Sequence, residues 1–258
     1  MPCPRKSHGP PWRIPVIGKR HLISWAAALC FSASAAQAQV QAPVPCRLAL
    51  AIGMDVSGSV DRLEYRLQMD GLANALMNPE VQRQVLQNTE TPIYLSAFEW
   101  AGRSNQRLIF NWTALDSPEA IASLASTLRQ AQRGSGPNDT AIGAAMMAGE
   151  ELFNRLPGCW RYTLDLSGDG TNNNGPEPDV ARQNLAGRTI NGLVVALDLT
   201  VGRDERQMEL MALSAYYRKR VIQGPDAFIE IALGFSDFER AMTRKLLRET
   251  ETLMLGSR

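Results

Sequence analysis

Leu48-Ala-Leu-Ala-Ile-Gly-Met-Asp55-Val-Ser57-Gly-Ser59 is an apolar run that ends in three oxygen-bearing side chains at every second position. An uncharged run of this length suits a strand buried on both faces, as the central strands of parallel sheets are. The Asp55-x-Ser57-x-Ser59 string marks its carboxyl end and gathers short, hard oxygen donors there. Such donors suit Mg²⁺, Mn²⁺ or Ca²⁺ rather than zinc or copper. Asp and Ser also cap helices, so the string alone leaves both roles open.

Outward from that strand the pattern alternates. A helical period over Val60–Gln87 carries Leu63, Leu67, Leu72, Leu76 and Val85. Strands are expected over Pro92–Trp100 and Gln106–Thr113, and the five residues between them force an antiparallel pair. Ser117-Pro118-Glu119 opens a helix to about Gln132, with serine as cap and proline at its first position. Further helices are expected over Thr140–Leu156, Asp179–Gly187, Glu205–Tyr217 and Ser236–Leu255, and strands over Trp160–Leu166, Thr189–Leu197 and Ala227–Leu233. In the last helix Phe238, Met242, Leu246 and Leu253 are read as packing inward. Arg240, Arg244, Lys245 and Arg248 are read as a solvated face. The alternation predicts an α/β fold: a doubly wound, mostly parallel sheet with one antiparallel edge strand, flanked by helices.

The amino terminus reads differently. Basic residues Arg5, Lys6, Arg13, Lys19 and Arg20 precede an apolar run over Leu22–Phe31 and then Ala36-Gln37-Ala38. That order is a secretory signal peptide, residues 1–38, cleaved before Gln39. The apolar run falls short of the roughly 20 residues that a membrane span needs. Residues 39–45 are expected as a short flexible lead-in and 46–258 as one domain, exported to the periplasm or secreted, without a transmembrane segment. Taking the leader's five cations from the chain's 27 leaves 22 against 26 acids, a net of −4. Dispersed, mildly acidic charge argues against a nucleic-acid partner. Both histidines, His8 and His21, lie in the leader, so the mature part has none. A Ser-His-Asp triad, a Cys-His pair and a His-ligated zinc site are thereby excluded from it.

Ligands of open parallel sheets bind outside the carboxyl ends of the strands. Three segments are expected there: Asp55-x-Ser57-x-Ser59, the loop Gly134–Thr140, and Ser167-Gly168-Asp169-Gly170 after a strand. In this order they resemble the metal-ion-dependent adhesion site of the von Willebrand factor A-type domains, and the resemblance spans essentially the whole mature chain. The closing segments YYRKRVIQGPDAF and DFERAMTRKLLRE further resemble a bacterial exported subfamily of unknown function. The resemblance implies that Ser57, Ser59 and Thr140 coordinate a divalent ion, Mg²⁺ or else Mn²⁺ or Ca²⁺, directly. Asp55 and Asp169 would then act largely through bound water. The family commonly has Thr-Asp-Gly in its third segment, where this chain has Gly168-Asp169-Gly170. Asp165, inside the strand, is the competing carboxylate.

With neutral hydroxyls bound directly, the ion keeps much of its charge and an exchangeable position. It then favours an incoming Asp or Glu carboxylate of a protein partner, or a small acid. The reading is a binding module and not an enzyme. Asp139 and Glu99 could tune affinity or ion choice, but each is read rather as a solvated or capping carboxylate. Gly134-Ser135-Gly136 lacks the Gly-Lys-Ser/Thr ending of a phosphate loop. Two rivals stand beside this reading. Gly168–Asn173 is similar to the metal loop of haloacid-dehalogenase-like phosphatases, but Ser57 stands where those enzymes carry a second Asp as acid/base. A structural exported domain with a vestigial metal site is the other.

The family's strand order also implies a disulfide. Cys46 lies nine residues before Asp55 and Cys159 ten before Asp169. If the two strands are parallel neighbours, the sulfurs meet at the edge of the sheet away from the metal, where an exported protein would oxidise them. Its role would be structural rather than redox.

Overall fold

The computed structural model describes residues 45–134, 136–156, 158–196 and 203–255. The signal-peptide segment and most of the lead-in lie outside the described residues. Among the described residues six strands form one sheet: β1 (Leu48–Asp55), β2 (Ile93–Trp100), β3 (Gln106–Leu115), β4 (Tyr162–Gly168), β5 (Thr189–Val195) and β6 (Ile229–Ala232), in the order β3-β2-β1-β4-β5-β6. Only β3 runs antiparallel. The chain builds outward from β1 to one side through β2 and β3, then returns to lay β4, β5 and β6 on the other. The order therefore reverses between β1 and β4, the position where sheets of this kind bind ligands.

Every residue of β1 is buried, because both of its faces are covered. Leu48, Leu50, Ile52 and Met54 meet one apolar layer with α1 (Arg62–Met77), α3 (Pro118–Gln130) and α7 (Phe238–Leu255). Ala49 and Ala51 face α4 (Ile142–Asn154), where small residues let helix and strand approach closely. Gly149 of α4 shows how closely: a β-carbon there would stand 2.7 Å from Leu164 Cδ1.

The helical run expected over Val60–Gln87 is broken. Asn78 accepts from Glu80 N at 2.9 Å and Pro79 opens a separate helix, α2 (Pro79–Val85). A proline has no N–H for the preceding turn and disfavours helix in the residue before it, so the break falls there. Leu63, expected inward, is 67% exposed. The segment expected as one helix over Asp179–Gly187 is a single turn, α5 (Pro178–Ala181), followed by a 3₁₀ turn over Arg182–Leu185. After α6 (Arg203–Tyr216) a π-helical turn, Tyr217–Val221, drives Tyr217 fully into the core.

The largest correction concerns the last helix. Lys245 is not on a solvated face but fully buried. Its Nζ lies 2.9 Å from Asp165 Oδ1 and 3.0 Å from Glu249 Oε1. Asn191 donates to the same Glu249 oxygen at 2.8 Å and accepts from Phe228 N at 2.9 Å. A lysine, two carboxyls and an amide thus bind α7 to the middle of β4 and β5. Burial, and then the neighbouring Glu249, hold the Asp165 carboxyl well above the usual range. Asp165 is committed to this cluster and does not compete for the strand-end site.

The cysteines pair as the family order implied. Cys46 and Cys159 form a disulfide that closes 113 residues. They also form a parallel bridge extending the β1–β4 pairing, with Trp160 N donating to Cys46 O at 2.9 Å.

Candidate metal centre

β1 and β4 are adjacent and end level, Met54 opposite Ser167, so the turns that follow them meet. β4 continues to Gly168, two residues further than expected, which places Asp169 immediately at the strand's carboxyl end. Ser59 Oγ donates to Asp169 Oδ1 at 2.9 Å, and Ser57 Oγ lies 3.3 Å from Ser59 Oγ. Asp55 Oδ1 accepts from Ser57 N at 2.7 Å, which curls the turn back over the strand end. Gln68 of α1 fixes it from below, donating to Asp55 O at 2.9 Å.

Thr140 approaches from the loop before α4. It does not cap α4, which begins at Ile142 without a side-chain cap. Instead Asn173 grips it from both sides, accepting from Thr140 N at 2.8 Å and donating its own N–H to Thr140 O at 2.9 Å. The hydroxyl faces Gly170, where a β-carbon would lie 3.7 Å from Thr140 Oγ1. The loop before α4 is also tied to the turn after β1, by Gly58 N donating to Asn138 O at 3.1 Å. Asp55, Ser57, Ser59, Thr140 and Asp169 therefore belong to turns in mutual contact at one rim of the sheet.

The electrostatics of this rim are unsatisfied. Asp55 Oδ2 and Asp169 Oδ2 are buried without a hydrogen-bond partner, and so are the donors Trp100 Nε1 and Tyr217 Oη beneath them. Two carboxylates facing each other out of water resist ionisation. Burial, then the charge of Asp169, pushes the Asp55 carboxyl up to about 8, against the hydrogen bonds from Ser57. Burial raises Asp169 as well, despite the bond from Ser59. Orphaned carboxyl oxygens beside two serine hydroxyls and a threonine form a donor set that a hard divalent cation fits. No group of three or more His, Cys, Asp or Glu side chains converges among the described residues, so a cation here rests on hydroxyls as much as on carboxylates.

Gly168 has a packing role in this arrangement. A β-carbon on it would stand 2.5 Å from Tyr217 Oη and 3.1 Å from Asp55 Oδ2. Gly168→Ala is expected to cost about 1–3 kcal/mol by overpacking, read as a lower urea midpoint without metal. An unchanged midpoint would mean that the buried Tyr217 ring has room to retreat.

Glu99 is neither solvated nor a cap. It is buried and accepts from Tyr65 Oη at 2.6 Å, from Arg107 at 2.6 and 3.0 Å, and from Gly134 N at 3.2 Å, anchoring the loop that leads to Thr140. Asp139 accepts from Asn174 Nδ2 at 3.1 Å. Sequence reasoning missed Gln68, Asn173, Trp100 and Tyr217. Gln68 carried a signal, as a polar residue among the inward positions Tyr65, Met69 and Leu72 of α1. Tyr217 carried none, because a π-helical turn has no pattern of its own.

No functionally curated protein matches the sequence. Among solved structures, the fold is similar to proximal thread matrix protein 1 of the mussel byssus with a zinc-occupied MIDAS motif, at TM-score 0.53 and 14% identity, covering 82% of this chain and 49% of that one. It is similar to a von Willebrand factor type A protein from Catenulispora acidiphila, at TM-score 0.52 and 14% identity over 81% of this chain and 43% of that one. It is also similar to the pilus adhesin SpaC from Lactobacillus rhamnosus GG, at TM-score 0.52 and 12% identity over 81% of this chain and 30% of that one. The chain spans half or less of these proteins, and the likeness is one of fold. A family described as Protein of unknown function (DUF1194) matches residues 45–254. On a von Willebrand factor A-type fold, the chain is a member of that DUF1194 family.

Proposed function

We propose that this protein is an exported, divalent-cation-dependent binding module that captures a carboxylate of a protein partner. The observation that carries the reading is the pair of buried, unpartnered oxygens, Asp55 Oδ2 and Asp169 Oδ2, beside the Ser57 and Ser59 hydroxyls. Ser57, Ser59 and Thr140 would hold Mg²⁺, or Mn²⁺ or Ca²⁺, through their hydroxyls, and the two aspartates would act largely through water. The bound ion would supply a positive point with an exchangeable site for an Asp or Glu side chain. Neutral direct ligands leave that charge largely unspent. The zinc-occupied MIDAS of the byssus protein, on the same fold, supports divalent-ion use. The disulfide supports export, since such bonds persist in oxidising compartments. Among the described residues no helix is long and apolar enough to cross a membrane.

Titration with Mg²⁺ tests the reading. A ligand at about a hundred times its dissociation constant stabilises the folded state by about 2.7 kcal/mol, and this gain is expected to vanish in Asp55→Asn. The metal-free variant is expected to be no less stable than the parent, because it removes a charge that burial already disfavours. A parent protein that neither binds Mg²⁺ or Mn²⁺ calorimetrically nor gains stability from them would replace the proposal with a vestigial site.

A further inference from the structure

A cleft of about 740 Å³ opens between α1 and the segment after α3, and four arginines line it: Arg62, Arg66, Arg129 and Arg133. The concentration of charge is out of keeping with a mature chain in which acids outnumber bases. It is also poorly neutralised. Arg66 pairs with Asp70 at 3.2 Å. Arg62 has no ion-pair or hydrogen-bond partner among the described residues, Arg129 is held only by Asn74 Oδ1 at 2.9 Å, and Arg133 donates only to main-chain carbonyls. Glu99, the buried carboxylate bonded to Tyr65 of the cleft, is already engaged by Arg107.

Two features define what the cleft would take. First, three of its four guanidiniums are fixed to different segments. Arg66 is tied to Leu128 O and Ala131 O at 2.9 and 2.8 Å, Arg129 to α1 through Asn74, and Arg133 to the turn after β1. Such spaced forks suit several separate carboxylates, whereas a single anion cage would turn them toward one point. Second, Arg133 joins the cleft to the strand-end site. Arg133 Nη2 donates to Val56 O at 2.7 Å and to Ser57 O at 3.1 Å, on the residue whose hydroxyl is assigned to the ion. Tyr65 adds an aromatic wall, with the Arg66 guanidinium 5.7 Å from its ring centre.

We infer that the Arg62–Arg66–Arg129–Arg133 cleft is a second docking site for an acidic peptide segment of the partner, running away from the cation beside Arg133. The inference extends the carboxylate-capture reading, but the cleft itself needs no metal. Electrostatic docking of this kind acts through exposed charge and weakens with salt.

Fluorescence anisotropy of a labelled octaglutamate peptide at low salt, with Mg²⁺ and with EDTA, tests it on the mature protein. In EDTA the parent is expected to bind in a salt-dependent manner. Arg62→Glu/Arg129→Glu is expected to weaken that binding by roughly tenfold or more, while its calorimetric Mg²⁺ isotherm and melting temperature stay at the parent's values. Arg62→Glu alone, at a position without partners, gives the same direction if the double variant folds poorly. Asp55→Asn is expected to lose only the Mg²⁺-dependent increment. Failure of the metal reading would thus show as peptide binding identical with Mg²⁺ and EDTA. Peptide binding unchanged by the arginine reversals would overturn the cleft. Complete displacement of the peptide by a lower concentration of a sulfated oligosaccharide of equal charge would overturn the acidic peptide as occupant.

Discussion

Lys245→Met is expected to destabilise the protein by about 3–5 kcal/mol, because it leaves buried carboxyls without their cation. Methionine keeps the apolar stem, so the loss isolates the charge on Nζ, which sits 2.9 Å from Asp165 and 3.0 Å from Glu249. The effect carries a pH signature. Asp165 is already held well above the ordinary carboxylate range, by burial first and Glu249 second. A carboxyl whose folded pKa is raised contributes its stability in the protonated form, in full below the unfolded pKa of about 4, and loses it as the pH rises. Without Lys245 the pair must bind one more proton to stay neutral in the fold. The deficit should therefore grow by about 1.4 kcal/mol per pH unit. Urea unfolding of parent and variant at about pH 5 and about pH 8 measures it. The same deficit at both would show that the cluster is not ionised in the parent.

The second large effect is expected from Cys46→Ser/Cys159→Ser. The bond closes 113 residues, and on the chain-entropy account a loop of that size restrains the unfolded chain by about 4–5 kcal/mol. It also pins the far ends of the two strands whose carboxyl ends carry Asp55 and Asp169. The double serine variant should unfold at a lower urea concentration by a margin of that order. Its Mg²⁺ affinity, measured well below the unfolding midpoint, should stay close to the parent's, because the strand-end turns are held by Gln68, Asn173 and the Ser59–Asp169 bond. A variant with the parent's midpoint would mean that the reduced, unfolded chain is already compact.

These two effects mark where the sequence was readable and where it was not. The β1 strand and its Asp-x-Ser-x-Ser ending were legible, because apolar continuity and a run of short oxygen-bearing side chains have a short-range signature, whereas the pairing of Cys46 with Cys159 came from the strand order of the resembled family. The break at Asn78-Pro79 was missed, because the apolar period on either side of it masked the turn chemistry of that pair. Lys245 was not legible. Within α7 it looks like one of four basic residues on a polar stripe, and only the sheet beneath reveals that Asp165 is waiting for it, with Asn191 holding the Glu249 that it also meets. Glu99 failed in the same way, since its partners Tyr65, Arg107 and Gly134 lie on three other segments. Buried charge is decided by long-range pairing, and a local pattern assigns any charge to the surface by default.

The strand-end site follows the same logic. Its hydroxyls and carboxylates were visible as types, while the groups that aim them were not: Asn173 on Thr140, Gln68 on the Asp55 carbonyl, and Tyr217 packed close against Gly168.

The most direct test of the account is anomalous diffraction from crystals of residues 39–258 soaked in Mn²⁺. The account predicts one strong peak at the rim of the sheet, within bonding distance of the Ser57, Ser59 and Thr140 hydroxyls, with Asp55 and Asp169 around it and no such peak in Asp55→Asn. A peak elsewhere, or none at that rim under saturating Mn²⁺, would contradict it.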